Sequence, residues 1–150
     1  MEHQYSTEYL RLEKQIGFPL YACAKEVVKC YRNFLDELDL TYTQYIAMMV
    51  FWEHGKLNDK ELGEKLYLDS GTLTPMLKNL EAKGLVRRYR STADERVLIV
   101  EITPEGEALK DKAVTVPHHV AECVDICKED REELYRLLYL VLGQLRGEKK

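Results

Sequence analysis

The sequence predicts a mostly α-helical protein with one small β-hairpin, a fold of the α+β class. Leucines repeat at helical spacing over residues 57–68, and a second helical pattern runs from Leu73 to Leu80 after a turn at residues 69–71. Residues 86–90 and 96–102 then predict two strands that a polar loop joins. Helix, turn, helix and basic hairpin in this order indicate a winged helix-turn-helix, whose second helix enters a DNA major groove.

Two features of this central unit depend on single residues. Gly63 stands where the two helices could pack closely, and Gly84 stands where a helix C-terminus favours a left-handed residue. The start of the second helix is ambiguous from the residues alone. Asp69 or Ser70 could cap it, which leaves Pro75 inside the helix, or residue 74 could cap it with Pro75 in the first position.

The N-terminal part predicts one long helix. Apolar residues from Leu12 to Leu38 fall on a single stripe, and Pro19 should kink this helix or mark a break, since Gly17 weakens the same turn. Thr41 then predicts the cap of a nearly all-apolar helix that ends at residues 54–55, and a helix of this composition should be central and buried.

The C-terminal part predicts two further helices. Thr103 caps the first, Pro104 takes its first position, and the pattern continues through Ile126 with a kink at Pro117. The last helix starts at about Lys128, and its apolar stripe comprises Leu134, Leu137, Leu138, Val141, Leu142 and Leu145.

Long apolar helices at both ends predict that the chain pairs with a second copy. A two-fold dimer presents two recognition helices about one DNA turn apart. We therefore predict a single domain over residues 1–150, with a DNA-reading lobe at about 41–103 and long dimerisation helices at about 9–38 and 104–146.

Composition indicates a globular chain in a reducing compartment. No apolar run reaches the roughly 18 residues of a membrane helix, and the polar N-terminus lacks the apolar region of a signal peptide. We expect a cytoplasmic protein with no membrane partner, whose four cysteines are reduced thiols.

The net charge of −4 conceals one positive segment. Residues 70–102 carry six basic and four acidic side chains, whereas the segments 1–40, 41–69 and 103–150 each have an excess of two acids. Phosphate contact needs a local basic face, and this segment is the recognition helix with its wing.

Several motifs carry a family resemblance over nearly the whole chain. Asp94-Glu95-Arg96 followed by VLIVEITPEGEAL resembles the wing and next helix of the multiple antibiotic resistance regulator (MarR) family. LTYTQYIAMMVFWEH and LGEKLYLDSGTLTPMLKNLEAKGLVRR resemble the organic hydroperoxide resistance regulators and their staphylococcal relatives. The resemblance implies a dimeric repressor that releases its operator when a single N-terminal cysteine is oxidised, with two tyrosines that hydrogen-bond the thiolate.

The sequence departs from that pattern at the sensor. In the matching motif Gln15-Ile16-Gly17-Phe18-Pro19-Leu20-Tyr21, the residue in the place of the cysteine is Gly17. The two tyrosines correspond to Tyr31 and Tyr42, so the sensor pocket would comprise Gly17, Tyr31 and Tyr42 without a thiol.

Other cysteines offer candidate redox thiols, namely Cys23, Cys123 and Cys127. Cys23 and Cys30 share the apolar stripe, which favours small buried side chains, and seven residues of helix separate them by about 10 Å, too far for a disulfide. Cys123 and Cys127 could pair only if the helix breaks near residue 125. With His118 and His119 they could also form a zinc site, the weaker alternative, and we expect no metal or cofactor.

The candidate DNA contacts fall in two groups. The recognition helix offers Ser70, Gly71, Thr72, Thr74 and Lys78 to the major groove, and the resemblance favours its earlier start. In the wing, Arg96 would enter the minor groove with Asp94 orienting it, and the candidates for phosphate contact are Arg87, Arg88 and Arg90. The alternatives are a plain turn with a cap and a surface ion pair.

These observations predict a homodimeric regulator, a repressor on an inverted-repeat operator, and not an enzyme, because the sequence has no phosphate loop, G-x-S-x-G or H-E-x-x-H motif. The alternatives are a winged-helix adaptor that does not bind an operator and a regulator released by a small aromatic ligand, whereas an oxidant is the effector that the resemblance implies. Such a ligand pocket could involve Tyr21, Tyr31, Tyr42, Tyr45, Met48 and Trp52, unless these residues are simply core.

Overall fold

The computed structural model describes residues 5–148, and these form seven α-helices and a three-stranded antiparallel sheet. The helices are α1 (Gly17–Leu35), α2 (Tyr42–His54), α3 (Asp59–Leu66), α4 (Ser70–Ala82), α5 (Pro104–Ala113), α6 (Val116–Cys123) and α7 (Lys128–Leu145). The strands are β1 (Lys56–Asn58), β2 (Val86–Arg90) and β3 (Leu98–Ile102). This architecture confirms the predicted winged helix-turn-helix.

The sheet has one strand more than the sequence predicts. Its order is β1-β3-β2, so β3 is central, with Leu57 opposite Val100 on one side and Val86 opposite Ile102 on the other. The assignment of Leu57 to a helix is wrong, because Asn58 caps α3 and Leu57 is a buried strand residue before that cap. Three residues are too few to show the alternation that identifies a strand.

The core is built around α2, within the DNA-reading lobe. As predicted, Thr41 caps α2 in a capping box with Gln44, and one side of the helix is fully buried at Ala47, Met48 and Phe51. The largest fully buried side chains come from α1, α2, α3, α4 and the sheet, namely Phe51, Leu35, Met48, Leu62, Leu77, Leu80, Val86 and Val100.

The N-terminal helix is shorter than the predicted stripe. Two 3-10 turns, Thr7–Leu10 and Leu12–Lys14, precede α1, which begins at Gly17. Pro19 therefore lies in the first turn, where a missing N–H breaks no helical hydrogen bond. The predicted break at this proline is observed, and the continuous helix from residue 12 is wrong.

The predicted helix from Pro104 to Ile126 is also wrong, because the chain divides it into α5 and α6. Pro117 lies in the first turn of α6 and does not kink the interior of a longer helix. Val124 leaves helical geometry, and α7 then starts at Lys128 as predicted. No helix among residues 5–148 is long and apolar enough to cross a membrane.

Candidate nucleic-acid interface

The recognition helix α4 exposes the polar face that the sequence predicts. Asp69 caps it by accepting a hydrogen bond from the Thr72 N–H at 2.8 Å, so the earlier start is the observed one and Pro75 lies inside the helix. Leu73, Met76, Leu77 and Leu80 are buried against the core. The five predicted groove residues are all exposed on the other side, namely Ser70, Gly71, Thr72, Thr74 and Lys78.

A buried polar side chain, Gln44, holds α4 in place, and sequence reasoning missed it. Gln44 is 5% exposed, and its Nε2 donates to the Asn79 Oδ1 at 3.0 Å. Its Oε1 accepts from the Thr41 N–H at 3.0 Å and from the Lys83 Nζ at 3.2 Å. The sequence signals Gln44 only as the fourth residue of a capping box, and its contacts with α4 are non-local.

The turn between α3 and α4 depends on Gly63, as predicted. An added Cβ at this position would lie 2.9 Å from the Leu68 carbonyl oxygen and 3.5 Å from Leu73 Cδ2. The first distance is shorter than real Cβ contacts, so any other residue at this position would displace the backbone of the connecting turn at Leu68.

The tip of the wing presents Arg96 to solvent. Arg96 lies in the loop between β2 and β3 and not in a strand, which corrects the predicted start of β3. Its side chain is 93% exposed. Asp94 Oδ1 accepts from both the Arg96 N–H at 3.0 Å and the Nε at 3.3 Å, so the carboxylate orients the arginine without covering it.

The other predicted phosphate ligands are not equivalent. Arg88 forms an ion pair of 3.1 Å with Glu81 of α4 and its side chain is only 19% exposed, so its charge is offset inside the protein. Arg87 donates through Nε to Glu101 Oε2 at 2.9 Å, and this hydrogen bond lowers the pKa of the Glu101 carboxyl. Arg90 is exposed and forms no ion pair within the described part of the chain. The structure therefore favours Arg90 and Arg96 and disfavours Arg88.

The tyrosines of the predicted sensor pocket lie together, but Gly17 lies elsewhere. The ring centroids of Tyr31 and Tyr42 are 4.9 Å apart, and burial raises the pKa of both phenols. Gly17 and Tyr31 are both on α1, and fourteen residues of helix separate them by about 21 Å. Within one protomer these residues cannot form one pocket, so the predicted pocket requires a second protomer.

The six residues of the predicted aromatic ligand pocket differ in their surroundings. Met48 is fully buried, Tyr21 is exposed, and Trp52 donates through Nε1 to the Gly106 carbonyl at 2.9 Å. An open cleft of about 400 Å³ does exist beside the C-terminal end of α1. Of the six predicted residues only Tyr42 lines it, with Val28, Arg32, Leu35, Asp36, Leu40, Thr41 and Thr43.

The cysteines differ from the prediction of four reduced thiols. Cys30 and Cys123 form a disulfide, with Cα atoms 6.8 Å apart and 93 positions between them in sequence. Cys23 is exposed and not buried, and Cys127 is also free and exposed. The helix does break between residues 123 and 128, yet Cys127 caps α7 through its Sγ and does not pair with Cys123.

The zinc alternative is not supported by the geometry. The His119 ring stacks on Phe34 at 4.8 Å, and Cys123 is bonded to Cys30. Within residues 5–148, no three His, Cys, Asp or Glu side chains converge as a metal site would require.

Two apolar faces of the protomer are exposed. None of the described residues of α7 is buried, and its exposed side chains include Leu134, Tyr135, Leu137, Leu138, Tyr139, Val141 and Leu145. The N-terminal segment adds Tyr5, Tyr9, Leu10, Leu12, Ile16, Phe18 and Tyr21. Monomeric proteins rarely expose large apolar faces, and such faces are typical of protein interfaces.

Comparison with known proteins identifies the class of this fold. A sequence model of the family described as "Transcriptional regulator SarA/Rot" matches residues 29–113. The chain is 44% identical over 145 residues to the organic hydroperoxide resistance transcriptional regulator of Bacillus subtilis (strain 168), with 97% of each chain covered. It is 43% identical over 123 residues to the HTH-type transcriptional regulator SarZ of Staphylococcus aureus (strain USA300), with 82% of this chain and 83% of SarZ covered.

A solved structure shares both the fold and part of the sequence. Reduced AbfR bound to DNA superposes with a TM-score of 0.76 at 30% identity, covering 93% of this chain and 97% of AbfR, a protein of Staphylococcus epidermidis.

Proposed function

Because this chain belongs to the SarA/Rot family of transcriptional regulators, we propose that it represses transcription by binding an inverted-repeat operator as a homodimer. The resemblance to MarR-type regulators is confirmed, and the chain is a DNA-binding transcriptional regulator and not an enzyme. One observation carries the proposal. The exposed polar face of α4 lies in the same lobe as a wing whose Arg96 side chain is free in solvent.

The two elements suit two grooves of the duplex. Thr72, Thr74 and Lys78 are exposed on α4, and short hydroxyls and an ammonium group can contact base edges and phosphates. Arg96 at the wing tip suits the narrow minor groove, whose negative potential attracts arginine. Arg90 would contact phosphate, because no carboxylate within the described residues offsets its charge.

The homodimer is supported by the exposed apolar faces. An α7 with no buried residue needs a partner, and the N-terminal segment supplies a second apolar face on the same chain. We propose that these two segments form the dimer interface and that residues 41–103 form the DNA-reading lobe within a single domain. A bacterial operator lies in the cytoplasm, so we place the protein there.

The effector is proposed to be an oxidant. The Bacillus subtilis relative is named for organic hydroperoxide resistance, and this chain has two free exposed thiols and one disulfide. Oxidation of a single N-terminal cysteine is not available to this chain, because Gly17 stands in the place of that cysteine. A dimer could bring Gly17 to the tyrosines of the partner subunit, which remains a prediction about the interface.

Operator binding tests the proposal. Fluorescence anisotropy with the upstream region of the protein's own gene should give saturable binding, which an adaptor that does not bind an operator would lack. Arg96→Ala should weaken binding by about 1–3 kcal/mol per arginine contact. Because a dimer loses two cationic contacts, the slope of log K against log salt should fall by about 1.8.

Lys110→Ala is the matched control, since it removes the same charge from α5, outside the DNA-reading lobe and outside the two segments proposed as the dimer interface, where Lys110 pairs with Glu107 at 3.8 Å. This variant should keep the wild-type affinity and slope. An Arg96→Ala protein with unchanged affinity and slope would exclude the wing from DNA binding, and an absence of operator binding by the wild type would favour the adaptor.

A further inference from the structure

Two contacts, one helical turn apart, join α1 to α6. The first is the disulfide between Cys30 and Cys123, and the second is the stack of Phe34 on His119, whose ring planes are within 10° of parallel. Residue 34 follows residue 30 by four positions, and residue 119 precedes residue 123 by four. The two helices therefore pack antiparallel and in register, with one covalent contact and one aromatic contact.

The disulfide lies at the end of α6, just before the non-helical connection to α7. Cys123 is the last residue of α6, and Val124 leaves helical geometry immediately after it, with φ −108° and ψ 71°. The next helix, α7, carries the exposed apolar face that we propose as part of the dimer interface. A bond at Cys123 therefore joins α1 to the end of α6, immediately before the connection to α7.

The other end of this connection reaches the recognition helix. The helix α1 packs against α2 and ends in the 3-10 turn Asp36–Leu38. Next to that turn, Asp39 pairs with Lys83 at the end of α4, at 3.5 Å. Gln44 of α2 then hydrogen-bonds Asn79 of α4. Thus α1 contacts both α6, which precedes the proposed dimer helix, and α2, which supports the DNA-reading helix.

We propose that Cys30 and Cys123 form a redox-modification site, which a hydroperoxide converts from dithiol to intrachain disulfide and which thereby lowers affinity for the operator. This inference rests on the proposed function. The bond clamps α6 to α1, so it restricts the adjustment by which a dimer matches the spacing of its two recognition helices to the two half-sites.

The chemistry needs only the pair and one hydroperoxide, ROOH. Cys123 is exposed whereas Cys30 is half-buried, so the Cys123 thiolate meets the oxidant first. It attacks the terminal oxygen, the O–O bond breaks, and ROH leaves with a sulfenic acid on Cys123. The Cys30 thiolate then attacks that sulfur, the S–S bond forms, and hydroxide leaves and takes up a proton. The sum is two thiols plus ROOH giving a disulfide, ROH and water.

The other two cysteines serve as internal controls. Cys23 and Cys30 are seven residues apart on α1, a rise of about 10 Å, which exceeds disulfide distance. Cys127 caps α7, where its Sγ accepts from the Asp130 N–H at 3.4 Å. Both thiols are free and exposed, so they should react with alkylating reagents in either redox state.

The test uses the Cys23→Ser/Cys127→Ser double variant, which retains only the proposed pair. The fully reduced dimer is treated with one equivalent of tert-butyl hydroperoxide per chain, then digested without reduction and analysed by mass spectrometry. We expect one crosslinked peptide pair, Cys30 to Cys123, in a protein that migrates as a monomer on a non-reducing denaturing gel. Crosslinking between chains, or oxidation of Cys123 to sulfinic acid without a disulfide, overturns the site.

Two further substitutions distinguish the two oxidation steps and test their effect on operator affinity. In the Cys23→Ser/Cys127→Ser background, adding Cys30→Ser should stop the reaction at the sulfenic acid, which dimedone traps on Cys123, whereas adding Cys123→Ser should leave dimedone nothing to trap. Operator affinity should fall about tenfold on oxidation of the double variant, a range typical of coupling between two sites. When Cys30→Ser is added to this background, peroxide should leave the affinity unchanged. An oxidised protein that binds the operator as tightly as the reduced one, or more tightly, overturns the regulatory role.

The two proposals fail separately. If the reduced protein does not bind its operator but the crosslink forms, the proposal of operator binding is wrong. The assignment of Cys30 and Cys123 as a redox-modification site is then still supported. If the reduced protein binds the operator and no Cys30–Cys123 crosslink forms, only the redox inference is wrong.

Discussion

Gly106→Ala should destabilise the joint between the wing and the rest of the protein. Gly106 lies in the first turn of α5, where its N–H donates to Thr103 Oγ1 at 3.0 Å and its carbonyl accepts from Trp52 Nε1 at 2.9 Å. The Thr103 N–H in turn donates to the Leu85 carbonyl at 3.0 Å, just before β2. This glycine therefore connects α2, α5 and the start of the wing.

The magnitude follows from the space around Gly106. An added Cβ would lie 2.8 Å from Ile102 Cγ1 and 3.1 Å from the Leu85 carbonyl carbon, and closer still to the Leu85 carbonyl oxygen. Backbone cannot rotate away as a side chain can, so we take the upper end of the overpacking range, about 3 kcal/mol. Loss of the Trp52 hydrogen bond adds about 1 kcal/mol, and the better helix propensity of alanine returns about 1 kcal/mol.

Thermal unfolding followed by circular dichroism measures the effect. A net loss of about 3 kcal/mol should lower the Tm by roughly 6–12 °C in a chain of this size. Trp52 is the only tryptophan of the sequence, so its fluorescence emission should also shift when its bond to Gly106 is broken. Gly71→Ala is the control, because an added Cβ there meets only Asp69 Oδ1, at an ordinary contact distance of 3.4 Å. A Gly106→Ala protein with the Tm and emission of the wild type would refute the argument.

Three further predictions follow from the site and the interface. Leu138→Glu should abolish dimerisation without unfolding the protomer, because this side chain is exposed on α7, and sedimentation that still shows a dimer would place the interface elsewhere. Gly17→Cys in a chain whose four native cysteines are serine should gain operator release by hydroperoxide if the partner's Tyr31 and Tyr42 form the pocket, and no response would exclude that pocket. Burial, and secondly the charge of Tyr31, raises the Tyr42 pKa above its ordinary value of 10.0, so the native state keeps a proton that the unfolded chain gives up. Stability should therefore fall as the pH rises above the ordinary value, and Tyr42→Phe should reduce that fall in chemical unfolding, whereas an equal fall in both proteins would exclude Tyr42 as a contributor.

The sequence was sufficient wherever local chemistry decides the structure. Thr41, Asp69 and Thr103 each cap the helix that the residues predict, since a side-chain oxygen can satisfy an N–H only two or three positions ahead. Gly84 has the predicted positive φ of 76°, because glycine lacks a Cβ and adopts the left-handed geometry that ends a helix. Helix ends were less predictable where an apolar stripe continues through a break, as at Gly17 and Cys123, because periodicity does not register a change of helix axis.

Contacts between residues far apart in the sequence could not be predicted. The disulfide joins residues 93 positions apart, and its geometry depends on antiparallel packing of α1 on α6 that neither stripe encodes. The short strand β1 exists because β3 supplies its hydrogen bonds. Its three residues alone therefore could not predict a strand. For the arginines, the sequence gives the total charge of the wing. It does not show that Glu81 pairs with Arg88 and Glu101 with Arg87.

The arrangement separates the residues that we propose contact DNA from the residues that position them. Arg96 and the exposed face of α4 have few contacts with the rest of the protein, so changes there should alter affinity without altering the fold. Gln44 is buried between α2 and α4 with all its polar contacts made within the protein, and no buried side-chain nitrogen or oxygen among the described residues lacks a partner. A buried polar group can exchange partners only in discrete steps, because an unsatisfied one costs about 1–3 kcal/mol. Because Gln44 joins α2 to α4, a shift of α2 would carry α4 with it. A signal arising at Cys30 would therefore reach the recognition helix through the packing of α1 on α2.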